Sequence, residues 1–223
     1  MTAPLAGVFV TGTGTEVGKT VVAAAIARSL VAEDQRVAVF KPAVTGLDES
    51  GEADHSLLRR AADSTQTDDE IAPYRYGPPA SPHLAAESAG EEIEPTRLLE
   101  AARRAAAGAD ALVCEGVGGL LVPLALDYLV RDLAVDLALP LAIAAHPGLG
   151  TINHTLLTIE AARAAGLEVA SVVLTPWPAR PSPIEESNRE TIASLGEVRV
   201  ETLAALDLAD PGSWPALTLP QPR

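Results

Sequence analysis

The sequence predicts an α/β fold, a mostly parallel sheet with helices on both faces. Three observations lead there. Apolar runs of strand length recur at 8–10, 36–40, 111–114, 140–145 and 169–174, with patterns of helical period between them. A glycine-rich turn joins the first run to the first helix, and an acidic residue closes the third run. The 223 residues suffice for one sizeable domain, 1–223, with no internal linker in view.

The first run leads into Gly12-Thr13-Gly14-Thr15-Glu16-Val17-Gly18-Lys19-Thr20 and then an alanine-rich helix. Strand, glycine-rich turn and helix in that order form a phosphate cradle. Backbone N–H groups approach the anion, the helix N-terminus adds partial positive charge, a lysine meets the β/γ oxygens and a threonine hydroxyl reaches Mg²⁺. The literal P-loop pattern wants glycine where Thr13 stands, so the match is a variant of that motif. The bland alternative is an ordinary Gly/Thr-rich turn with a chance Gly-Lys-Thr. Composition argues against it, because only Lys19 and Lys41 among the sixteen cationic side chains are lysines. A compact ammonium is not interchangeable with a guanidinium where it must meet a small anion. The architecture expected is therefore P-loop NTPase-like.

The second run ends at Lys41-Pro42, where proline stops the ladder. The carboxyl edge of an open parallel sheet is where ligands bind, so Lys41 could share a crevice with the phosphate loop; otherwise it is a solvated lysine. Thr45-Gly46 follows in a loop. Residues 47–53 are polar, and Asp54 opens a helical pattern as either its N-cap or a Mg²⁺ carboxylate. Residues 73–83 are proline-rich and predict an ordered surface loop, with His83 a solvated loop histidine.

A helix over 96–107 precedes the run at 111–114 and then Glu115-Gly116-Val117-Gly118-Gly119. A carboxylate at the end of an apolar strand is the Walker B arrangement, able to hold Mg²⁺ directly or through water. An amphipathic helix over 129–137 is followed by the run at 140–145 and a second glycine-bearing turn, His146 to Asn153. That turn places N–H groups where a carboxylate or phosphate could dock, unless Thr151 acts only as a cap. Gly166 closes the next helix in the C′ position. After the run at 169–174 comes the proline-stiffened Thr175-Pro176-Trp177, in which Trp177 either covers a base or packs on the sheet edge. A helix over 184–194 follows, and the tail after about residue 203 has no assignment.

The balance of sixteen basic against thirty acidic side chains, net −14, argues against nucleic acid or an anionic membrane as partner. Cys114 stands alone, so no internal disulfide can form, which fits a reducing cytoplasm. The N-terminal residues lack a basic n-region and no apolar run reaches spanning length, so neither export signal nor anchor is expected.

Residues 11–20, Lys41-Pro42 to Gly46, Ser81-Pro82-His83, Glu115-Gly116 with Gly118-Gly119, and Gly150 to His154 with Leu156-Leu157-Thr158 together resemble the dethiobiotin synthetase family. The resemblance covers nearly the whole chain to about residue 200. It implies Mg²⁺- and ATP-dependent joining of CO₂ or bicarbonate to 7,8-diaminopelargonic acid, through a carbamate and a carbamic-phosphoric mixed anhydride. Residue by residue it implies metal ligation by Thr20, Asp54 and Glu115, and catalysis by Lys19, Lys41 and Thr15. It implies nucleotide contacts from Gly14 through Thr20, Glu115, Thr175 and Pro176, and substrate contacts from Thr45, Gly118, Gly150, Thr151 and Asn153. The family is a homodimer, so Gly150, Thr151 and Asn153 would act on the neighbouring subunit's substrate.

Two departures stand out. The family often has aspartate at Gly14, and Asn-Asp at Thr175-Pro176. A threonine hydroxyl cannot supply the paired donor and acceptor with which an amide reads adenine, which leaves the preferred nucleoside triphosphate open. Competing readings are a related amide-forming ligase, for whose usual amidotransferase domain the chain has no room, and a switching ATPase of the partition type. The latter usually carries a second lysine early in its phosphate loop, and Thr13-Gly14 supplies none.

Overall fold

The computed structural model describes residues 6–48 and 52–217. The opening of the N-terminal stretch examined for an export signal, at 1–5, and part of the polar segment, at 49–51, lie outside the described residues. Six strands form one sheet in the order β2 (Val37–Phe40), β3 (Ala111–Glu115), β1 (Gly7–Gly12), β6 (Leu141–Ala145), β7 (Val169–Leu174) and β8 (Val200–Thr202). Every neighbouring pair is parallel, so all carboxyl ends lie along one edge. A two-stranded antiparallel ribbon, β4 (Pro123–Ala125) with β5 (Tyr128–Leu129), sits outside the sheet.

Alternation along the strands divides the core into two layers. Val8, Val10, Val39 and Val113 face α1 (Lys19–Ala32) and α2 (Asp54–Ala61). Phe9, Phe40, Leu112 and Cys114 face α5 (Pro95–Ala105) and α6 (Val130–Leu137) on the other side. Toward the far edge, Ile143, Val172 and Leu174 pack with α7 (Thr151–Ala164) and α8 (Pro183–Gly196). Helices on both faces of a parallel sheet are the predicted architecture. The alanines of α1 explain its central place: Ala23, Ala24, Ala25 and Ala27 are fully buried, and small side chains let the helix lie close to the sheet.

Several local expectations need correction. Asp54 is the first residue of α2 and not its cap, a position held by Ala53. Likewise Gly150, in the left-handed region, caps α7, and Thr151 is its first helical residue. The 73–83 excursion is more than a surface loop. Tyr74 and Tyr76 are buried in the core, and Val44 forms a parallel bridge with Arg75. His83 is helical and half-buried within α4 (Pro82–Ser88). A short helix, α3 (Asp68–Ile71), with its own Thr67–Glu70 capping box, was not foreseen. Trp177 packs against the Ile143 cluster at the sheet edge.

The unassigned tail also has a place. Leu203, Leu206, Leu208, Trp214 and Leu217 join the core layer beneath α1 and α2. Leu217 donates its N–H to Ser29 Oγ at 2.8 Å, and Arg60 on α2 donates to the Leu208 carbonyl at 2.6 Å.

Candidate active site

The edge formed by the strand ends of β1, β2 and β3 opens into a cavity of about 860 Å³. Around it stand Thr15, Glu16, Gly18, Lys19, Thr20, Lys41, Thr45, Asp54, Glu115 and Gly118. Each arrives for a local reason. Lys19 and Thr20 open α1, whose N-terminus is capped by Gly18 at φ 83°, a conformation only glycine takes without strain. The Lys19 ammonium turns back to the Gly14 carbonyl at 2.8 Å, closing the phosphate loop upon itself. Lys41 follows β2, Glu115 ends β3 and Asp54 begins α2.

These side chains touch one another. Lys41 Nζ lies 2.6 Å from Glu115 Oε1 and 2.7 Å from Asp54 Oδ2. The Thr20 hydroxyl lies 2.8 Å from Glu115 Oε1 and 2.9 Å from Asp54 Oδ1. Lys41 and Glu115 are buried, where an unpaired charge would cost several kcal/mol or about that. Pairing reverses the usual effect of burial on Lys41. Desolvation alone would lower its pKa, yet the Glu115 and Asp54 carboxylates together hold it above the ordinary lysine value. Lys19 goes the other way, its pKa lowered by burial, with Lys41 adding to the effect and Glu115 opposing it. Asp54 stays below the ordinary carboxylate value despite its desolvation, chiefly through Lys41.

The donor set fits a hard divalent cation. Glu115 Oε2 is buried without a hydrogen-bond partner among the described residues, leaving a full carboxylate oxygen free. Two carboxylates, Asp54 and Glu115, beside the Thr20 hydroxyl suit Mg²⁺, which is usually held by one or two carboxylates with water and substrate phosphates completing its octahedron.

A second groove, of about 440 Å³, runs along the opposite flank of the phosphate loop. Gly12, Gly14, Thr15, Gly119, Leu121, His154 and Leu157 line it, so Thr15 borders both. The loop after β3 crosses close by: a Cβ on Gly119 would lie 3.5 Å from the Gly12 carbonyl oxygen.

Other candidates stand apart from the lysines. The Val17 side chain is buried in the core, which leaves only its backbone for a phosphate. Thr175 is buried, with its methyl 2.6 Å from where a Cβ on Gly18 would sit, and Pro176 is exposed. Gly150, Thr151 and Asn153 line neither cavity. Sequence reasoning missed Ser81 and Leu208, which also line the main cavity. Ser81 carried a signal as the residue before Pro82 at a helix start. Leu208 carried none, since its place depends on how the tail folds back over α2.

Comparison with known proteins decides between the readings. A family model described as AAA domain matches residues 6–214. The ATP-dependent dethiobiotin synthetase BioD of Anaeromyxobacter dehalogenans is 43% identical, over 85% of this chain and 85% of its own. That of Rhodococcus erythropolis is 42% identical, over 85% and 84%. That of Bacillus subtilis is 36% identical, over 85% and 82%. The chain belongs to the dethiobiotin synthetase family. Among solved structures, the cell division protein FtsY of Thermotoga maritima matches with TM-score 0.52 at 14% identity, over 93% of this chain and 64% of that one. At that identity the likeness speaks for the P-loop NTPase fold alone. Two lysines of this ATP-dependent ligase, Lys19 and Lys41, are buried at one edge of its sheet.

Proposed function

We propose that this enzyme carboxylates 7,8-diaminopelargonic acid and closes the ring to dethiobiotin at the expense of a nucleoside triphosphate. One observation carries the reading: Lys19, Lys41, Thr20, Asp54 and Glu115 converge on a single cavity at the carboxyl edge of the sheet.

One substrate amine adds to CO₂ and loses a proton to solvent, giving a carbamate. A carbamate oxygen attacks the γ-phosphorus, the bond to the β-phosphate oxygen breaks, and the nucleoside diphosphate departs. The second amine then attacks the carbamoyl carbon, forming the second N–C bond as the C–O bond to phosphate breaks; the nitrogen gives its proton to solvent, and inorganic phosphate leaves with the ring closed. Negative charge develops on oxygen at each of the last two steps. The ammonium groups of Lys19 and Lys41 stabilise it in a site with little water, where preorganised charge is most effective. Thr20, Asp54 and Glu115 would hold Mg²⁺, which neutralises the β- and γ-phosphate oxygens when bound. Thr15 and Thr45 lie along the diamine, and Gly14 to Gly18 cradle the phosphates through backbone N–H groups.

The enzyme acts as a homodimer in this proposal. Gly150, Thr151 and Asn153 of one subunit hold the substrate carboxylate in the other. Support comes from their position at the carboxyl edge and from the apolar side chains left exposed nearby, Leu149 at 95% and Leu157 at 56%. In this proposal the enzyme works in the cytoplasm, which its single cysteine, Cys114, supports. Among the described residues no helix is long and apolar enough to cross a membrane.

Purified protein given Mg²⁺, bicarbonate, the diamine and nucleotide should release phosphate only when all four are present. Phosphate release that ignores the diamine would refute the proposal. Lys41→Ala should lower turnover by about a thousandfold or more with an unchanged far-ultraviolet spectrum. Running the assay with ATP, CTP, GTP and UTP identifies the preferred base, and sedimentation equilibrium reports the dimer.

A further inference from the structure

The turn between β6 and α7 is held from outside by a residue that no part of the reading above uses. Asn188, on α8, is buried, and its Nδ2 donates to the Pro147 carbonyl at 2.8 Å and to the Gly148 carbonyl at 3.0 Å. Both hydrogens of one amide are therefore spent on two consecutive peptide carbonyls. Planar trans peptides translate that grip into direction. The N–H of each following residue is antiparallel to the carbonyl before it, so the N–H groups of Gly148 and Leu149 are turned away from α8. Gly150 then takes φ 89°, and α7 begins at Thr151, whose own N–H turns back to the Gly148 carbonyl at 3.3 Å. Among the described residues neither Gly148 N–H nor Leu149 N–H has a backbone partner. Two successive outward N–H groups ahead of a left-handed glycine and the N-terminus of a 14-residue helix favour an anion.

We infer that Asn188 is a positioning residue that sets the β6–α7 turn for the substrate carboxylate. It touches no substrate atom and acts through the two carbonyls. The inference rests on the proposed diamine substrate and its carboxylate contact at Gly150 and Thr151. The amide is needed for its donors: a carboxylate in the same place would face two carbonyl oxygens, and an aliphatic side chain would leave the Pro147 carbonyl unpartnered and the Gly148 carbonyl with the Thr151 N–H alone.

The test uses Asn188→Leu and, at nearly the same size, Asn188→Asp, so that failure of one variant to fold leaves the other. Each is assayed with the natural diamine and with a diamine whose carboxylate is replaced by a methyl group. With the natural diamine, KM should rise roughly ten- to a hundredfold, while kcat at saturation and the nucleotide KM stay within about twofold. With the carboxylate-free diamine, variant and wild type should coincide. Unchanged KM for the natural diamine, or an equal loss on both diamines, would overturn the assignment of Asn188 while leaving the activity standing. A wild-type enzyme indifferent to the diamine would overturn the activity and this assignment together.

Discussion

Gly14 and Gly18 sit four residues apart in the same loop, yet their environments demand different things of them. An added Cβ at Gly14 meets nothing within 4 Å, whereas at Gly18 it would lie 2.6 Å from the Thr175 methyl in a backbone at φ 83°. Gly18→Ala should therefore cost about 1–3 kcal/mol in urea denaturation, and Gly14→Ala should stay within about 0.5 kcal/mol of wild type. The same contact buries Thr175 against the loop, with its methyl turned toward Gly18. Single residues were unevenly legible. Lys19 and Thr20 could be placed from their motif, because a cradle works through sequence neighbours. Asp54 had two local readings, and its 2.7 Å contact with Lys41 depends on α2 docking beside β2, which no local pattern encodes.

At the scale of elements, β2 and β3 are tied at their entrance by a short ion pair. Asp110 accepts from the Arg36 backbone N–H at 2.9 Å and from its guanidinium at 2.8 and 3.0 Å. Those hydrogen bonds lower the Asp110 pKa to about 2, below an unfolded carboxylate near 3.9. A depressed pKa adds stability above the unfolded value and loses it as pH falls through the folded one. Asp110→Asn should thus lower Tm at pH 7 by a constant margin down to about pH 5. Thermal scans should show that margin shrinking between about pH 4 and pH 2. Both residues are largely exposed, at 72% and 44%, so the margin is small and should shrink in salt. Strands and long helices were legible because their apolar periods are local. The β4–β5 ribbon and α3 were not, since two to four residues carry no period and their hydrogen bonds are set by neighbours.

Across the whole molecule, the stretch from Leu203 to Leu217 folds back under α1. Ser29 on α1 donates to the Ala25 carbonyl and accepts the Leu217 N–H, each at 2.8 Å, joining residues 188 positions apart. Ser29→Ala should cost about 1–2 kcal/mol by leaving a buried N–H unpaired, and should speed proteolysis after residue 203. Limited digestion of variant and wild type measures both. By itself the sequence determined the class of fold and the phosphate cradle, because period-2 and period-3.6 patterns and a glycine-spaced turn act over a few residues. Only the tertiary structure decided that Lys41, Asp54 and Glu115 meet, that Leu208 walls the cavity and that Asn188 grips a distant turn. Those contacts join residues from 13 to 148 positions apart, and they exist because burying apolar faces on both sides of one sheet leaves each polar partner a single place to go.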